Sequence, residues 1–204
     1  MHQTELFGPV LGVMCAADLD EAIQLANDTP YGLTSGLHSL DEREHGYWRS
    51  KIVAGNLYIN RGITGAVVQR QPFGGCKASS FGPGAKAGGP NYVHQFASPR
   101  QIELTTDKGV LPAALAPLIA CLHSFKLSDE REKIWKNSVE SYAYWAPLMK
   151  KPVDASEVLG QHNYFYYESL EKAFVRFDDD AYLLSLLQVV AACVICETPL
   201  EISS

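Results

Sequence analysis

Residues 10–14 (Val-Leu-Gly-Val-Met) form a short apolar run, the pattern of a buried strand. Leu19, Ala22, Ile23, Leu25 and Ala26 then recur at the spacing of one helical face. Asp18 stands just ahead of them with Glu21 three residues on, the spacing of a capping box. Pro30 and Gly32 stop that helix. A strand-like stretch follows at 33–37. Residues 41–51 are charged, carry Tyr47 and Trp48, and predict a second helix. At 56–60 Leu57 and Ile59 alternate with Asn56, Tyr58 and Asn60, as in a half-buried strand. The order strand, helix, strand, helix, strand predicts an α/β fold with a parallel sheet.

Between Gly62 and Asn91 eight glycines interrupt every period. An irregular stretch this long within a compact domain marks a functional loop, and Phe73, Phe81 and Tyr92 set its composition apart from a linker's. Residues 92–96 predict a short closing strand. Two helices are expected at 111–125 and 128–150. Pro112 and Pro117 complicate the first, and Pro147 and Pro152 end the second. Residues 163–167 are aromatic and β-prone. Residues 173–177 alternate as a strand, Asp178 to Asp180 cap a helix from 181 to about 196, and 200–203 read as another strand. A lone strand–helix–strand unit leaves part of its sheet uncovered, so the chain is expected to be truncated at its C-terminus.

Composition narrows the class. With 204 residues, 47% of them apolar and 20% charged, the chain has the balance of one globular domain or two small ones. A net charge of −6 argues against nucleic acid as the main partner. The longest apolar stretches are too short or too interrupted to span a bilayer. The first twenty residues show no secretory signal. The five cysteines are scattered and read as reduced cytoplasmic thiols. Residues 1–104 carry a net charge of −1 and 14 of the 16 glycines, whereas the rest carries −5. Such a shift predicts two kinds of structure, the first rich in site-bearing loops.

Candidate chemistry follows that division. In Glu5-Leu6-Phe7-Gly8-Pro9 a carboxylate can accept from ribose hydroxyls and an aromatic face can lie against a nicotinamide. Taken singly, such a triplet is more often a surface and a core neighbour. Gly65 and Ala66 are consecutive small residues whose backbone N–H groups can meet an anion. In Gln71-Pro72-Phe73-Gly74-Gly75, Phe73 can wall an apolar site, although composition alone favours a tight turn. The Lys86-Ala87-Gly88-Gly89 stretch lacks the Walker spacing and is not read as a triphosphate loop. Cys193 and Cys196 read as core thiols, since no second ligand pair completes a metal site.

Together these segments resemble, over residues 3–97, the C-terminal part of the aldehyde dehydrogenase superfamily. The motif at residues 5–9 is similar to its Glu-x-Phe-Gly-Pro. The segments at 19–27, 31–37, 55–61, 64–68, 71–75 and 86–92 follow in the family's order. They most resemble the L-glutamate γ-semialdehyde (1-pyrroline-5-carboxylate) dehydrogenases found in bifunctional proline-utilisation proteins. The resemblance implies that Glu5 binds the nicotinamide ribose of NAD and that Phe7 packs near the nicotinamide. It implies that Gly65 and Ala66 anchor the substrate's α-carboxylate and that Phe73 encloses its aliphatic chain. The reaction implied is attack of a cysteine thiolate on the aldehyde, hydride transfer to NAD and hydrolysis to glutamate.

That family carries its nucleophilic cysteine, general-base glutamate and cofactor turn upstream of the Glu-x-Phe-Gly-Pro motif. None of the five cysteines here stands in the nucleophile's context. No catalytic residue is therefore assigned, no metal is expected, and the isolated chain is expected to be inactive. Residues 76–85 also depart from the family's Gly-Thr-Gly-Pro-rich form. The expected organisation is a C-terminal catalytic portion at 1–104, a helical linker region at 105–153, and at 154–204 a truncated strand–helix–strand unit of a non-catalytic aldehyde-dehydrogenase-like domain. Implied partners are the semialdehyde, a fused proline dehydrogenase, and a second subunit paired through a strand from Tyr92 to Phe96. The alternatives are a non-catalytic interaction module and a degenerate remnant.

Overall fold

The computed structural model describes residues 2–68, 70–82, 84–98, 100, 107–177 and 183–203. The chain divides into two compact units. One comprises Met1–Ser98 with Ala155–Asn163, the other Pro99–Asp154 with Tyr164–Ser204.

In the first unit, α1 (Leu19–Asn27) starts where its cap dictates. Asp18 accepts from the Glu21 N–H at 2.9 Å, while the Glu21 carboxylate accepts from the Ala17 N–H at 2.6 Å. Two N–H groups at the helix start are thus satisfied. The strand β1 (Tyr31–Gly32) is followed by β2 (Thr34–Leu37), α2 (Glu42–Lys51) and β3 (Asn56–Ile59). Strands β2 and β3 pair in parallel from Thr34 opposite Asn56 to Leu37 opposite Ile59. Ile23, Trp48 and Ile52 form the core, with Leu19, Leu37, Leu57 and Ile59 packed against it. A short β4 (Cys76–Lys77) pairs antiparallel with β1.

Two expected strands are absent. Residues 10–14 have no regular structure, with Leu11 86% and Val13 81% exposed. An apolar run signals a tendency to be buried, but a strand also needs a neighbour for its N–H and C=O groups. No described residue pairs with this run. From Tyr92 to Phe96 the chain forms a 3-10 turn (Val93–Phe96) instead of the strand expected to pair with a second subunit. With no ladder partner, its backbone bonds locally, as in the 3.2 Å bond from the Ala97 N–H to the His94 carbonyl.

In the second unit, the helix expected at 111–125 is broken into a 3-10 turn (Ala113–Leu115), α3 (Ala116–Cys121) and a further 3-10 turn (Leu122–Phe125). Helix α4 (Asp129–Lys150) runs through Pro147 rather than stopping there. In the last turn a proline removes only one late hydrogen bond. The β-prone stretch at 163–167 contributes only an isolated bridge between Phe165 and Val153. Strands β5 (Ala173–Arg176) and β6 (Leu200–Ser203) pair in parallel around α5 (Leu183–Ile195). The cap expected at Asp178 to Asp180 lies outside the described residues. The core is Leu115, Leu122, Trp135, Val139, Leu187 and Ala191. The Trp135 indole donates to the Leu187 carbonyl at 3.1 Å. Among the described residues no helix is long and apolar enough to cross a membrane.

Candidate functional site

The loop after β3 is tied back to the start of that strand. The Asn56 side chain donates to the Pro72 carbonyl at 3.0 Å and accepts from the Gly74 N–H at 3.2 Å. The Lys86 ammonium donates to the Gly74 carbonyl at 2.7 Å, to the Asn56 side-chain oxygen at 3.3 Å, and to the Gly55 carbonyl. Burial pushes the Lys86 ammonium below its ordinary range. Phe73 sits between these tethers. Its N–H donates to the Ala87 carbonyl at 2.9 Å, and its carbonyl accepts from the Ala87 N–H at 2.8 Å. Phe73 stays 37% exposed. The strand lead-in and the loop approach closely, since a Cβ on Gly55 would lie 1.9 Å from the Gly74 carbonyl oxygen.

Gly65 adopts φ +77°, with no atom within 4 Å of where a side chain would start. Just beyond it, the Arg70 and Gln71 N–H groups bond back to the Val67 carbonyl, and the Gln71 side chain accepts from the Val67 N–H. The loop therefore closes behind Ala66. Among the described residues neither the Gly65 nor the Ala66 N–H has a hydrogen-bond partner, so two consecutive donors remain open.

Glu5 is exposed and Phe7 fully so. No hydrogen bond or ring contact joins either to Gly65, Ala66 or Phe73 among the described residues. The structure thus gathers the Phe73 segment, Asn56 and Lys86. Two thiols, Cys76 and Cys121, donate to the backbone carbonyls of Gly32 and Leu118, and burial pushes the Cys193 thiol up. A depression of about 230 Å³ beside β1, lined by Thr29, Tyr31 and Val53 among others, contains none of the candidate residues.

Sequence reasoning missed Asn56 and Lys86. Lys86 reaches acceptors 12 and 31 residues away, and long-range tethers leave no local periodicity. The one available signal was a lysine flanked by glycines on both sides, in Gly84-Ala85-Lys86-Ala87-Gly88.

Residues 1–102 match the aldehyde dehydrogenase family. The chain belongs to that family. The 1-pyrroline-5-carboxylate dehydrogenases of Staphylococcus epidermidis and Staphylococcus aureus are each 50% identical to it over 97 residues, 46% of this chain and 18% of theirs. Proline Utilization A from Corynebacterium freiburgense is similar over 100% of this chain and 20% of its own, at 40% identity and a TM-score of 0.83. That likeness extends to the second unit. The chain spans about a fifth of the length of these relatives. The α/β class expected from the strand–helix order is that of this aldehyde dehydrogenase segment.

Proposed function

We propose that residues 1–104 are the C-terminal portion of a catalytic domain that oxidises L-glutamate γ-semialdehyde to glutamate with NAD. The observation that carries this reading is the pair of open donors at Gly65 and Ala66, followed by a firmly held Phe73. Adjacent backbone N–H groups suit a carboxylate, and a half-exposed ring suits the short aliphatic chain that links it to the aldehyde. The 50% identity to 1-pyrroline-5-carboxylate dehydrogenases supports the same substrate.

Glu5 and Phe7 fit NAD in their chemistry. The Glu5 carboxylate has no partner among the described residues and can accept from two ribose hydroxyls. The exposed Phe7 ring offers a flat apolar face. NAD, when bound, supplies the hydride acceptor. The thiol that attacks the aldehyde belongs, in this reading, to the rest of the domain. The 204-residue chain alone is accordingly inactive. Residues 105–153 are the helical lead-in, packed through α4 on α5, to a non-catalytic aldehyde-dehydrogenase-like domain that 154–204 open. The complete protein is a cytoplasmic homo-oligomer fused to a proline dehydrogenase.

The test is a chimera joining residues 1–104 to the upstream part of the Staphylococcus epidermidis relative. NADH should form with 1-pyrroline-5-carboxylate, and the 204-residue chain alone should form none. In the chimera Glu5→Gln should slow hydride transfer, by up to about a hundredfold if the nicotinamide shifts by about 1 Å. A folded chimera that binds NAD without turning over the semialdehyde contradicts the proposal.

A further inference from the structure

We infer that Lys86 is a positioning residue that holds Phe73 in place through its backbone. This rests on the substrate reading above. An ammonium has three N–H donors, and Lys86 has three acceptors: the Gly55 carbonyl, the Gly74 carbonyl and the Asn56 side-chain oxygen. No carboxylate pairs with it among the described residues. A partly buried cation without a counter-ion is unfavourable, which is why burial lowers its affinity for the proton. The fully satisfied donor set offsets that penalty and leaves no donor for an incoming anion. Lys86 is thus a clamp and not an anion contact, although its glycine-rich surroundings look like a phosphate loop.

The clamp joins the residue before β3, the first residue of β3 and the residue after Phe73. Ala87, next to Lys86, bonds both backbone groups of Phe73. The Phe73 backbone is therefore fixed directly by Ala87 and, through Gly74, by Asn56 and Lys86. The ring itself is left free to meet a substrate. Gly55 makes this possible, because any side chain there would collide with the Gly74 carbonyl. Removing the ammonium should release the wall of the substrate site while leaving the cofactor side untouched.

Two measurements test this. In the 204-residue chain, Lys86→Met should speed amide hydrogen exchange at Phe73, Gly74 and Ala87 by about tenfold, the size expected for losing a hydrogen bond to a charged group. Exchange in α1 and α2 should stay unchanged. In the chimera described above, the same variant should raise KM for the semialdehyde about tenfold, while kcat and KM for NAD stay within about twofold. In a Phe73→Ala background Lys86→Met should add nothing, since both changes then remove one wall. A merely structural lysine would lower stability and add its full effect in that background. If Lys86→Met does not fold, Asn56→Ala, which cuts the same tether from the β3 side, should give the same KM pattern. Unchanged exchange, or an equal rise in both KM values, overturns the inference. A folded but inactive unsubstituted chimera overturns the substrate reading and with it the substrate role of Lys86, while the exchange result still decides whether the clamp exists.

Discussion

Two strand–helix–strand units of matching design lie in this chain, and different forces hold them. In each, two four-residue strands pair in parallel around a single crossover helix. Helix α2 is rich in charge and buries only Trp48. Helix α5 carries no charged residue and buries Leu187 and Ala191 within the core that includes Leu115, Trp135 and Val139. The polar unit compensates with side-chain tethers. The Asn27 amide joins the ends of α1 and α2, donating to the Lys51 carbonyl and accepting from the Val53 N–H, each at 2.9 Å. Asn60, at φ +56°, exchanges bonds with both backbone groups of Ser39. Hydrogen bonds are directional and apolar burial is not. The tethered unit therefore specifies the course of its loops, and the candidate site lies among them. The apolar unit has side-chain bonds of its own, from Ser169 to the Cys196 carbonyl and from Lys172 to Glu201, but its helix is held by burial in the core.

The largest effect should fall in the second unit. Trp135→Ala removes a buried ring and its bond to Leu187 and should cost about 3–5 kcal/mol. Hydrogen exchange during denaturation should show α4 and α5 losing protection while β2 and β3 keep theirs. Equal loss in both units would break the contrast. A smaller effect should separate two glycines of the first unit. Gly55→Ala drives a Cβ into the Gly74 carbonyl and should destabilise by about 1–3 kcal/mol. Gly46→Ala, in mid-α2 with nothing within 4 Å, should stabilise by up to about 1 kcal/mol. Denaturant midpoints of the two variants should therefore move in opposite directions.

The smallest effect concerns the Asp20 carboxylate. Its hydrogen bond from Lys51, then that from Tyr47, holds it below its ordinary value of 3.8. Its contribution is fully present above that value and is lost as pH falls through the lowered one. Asp20→Asn should remove this acid dependence, and added salt should weaken it, because the pair is exposed.

The same division explains what was legible in the residues alone. The cap at Asp18, the second helix expected at 41–51 and the strands expected at 33–37 and 56–60 carry local signals, and each formed there to within a residue. Glycines mark the loop after β3 as irregular. The run at 10–14 and the turn at Val93–Phe96 differ from expectation because a strand depends on a neighbour as well as on its own pattern. The broken helix at 113–125 reflects Pro112 and Pro117, whose exact cost to a helix depends on where its first turn falls. Gly65 and Ala66 could be singled out as small and consecutive, but only the fold reveals that their donors have no partner among the described residues. Lys86 and Asn56 act across gaps that no local pattern spans.

In the proposed function the Gly65–Ala66 turn receives the substrate's carboxylate. The most direct test of this claim is steady-state kinetics of the chimera with Gly65→Val. The position has φ +77° and open space around it, so valine strains the backbone and obstructs close approach without clashing internally. KM for the semialdehyde should rise about tenfold or more, in line with losing a hydrogen bond to a charged group, while KM for NAD stays within about twofold. An unchanged semialdehyde KM in a folded variant would contradict the claim and leave Gly65 as a turn residue alone.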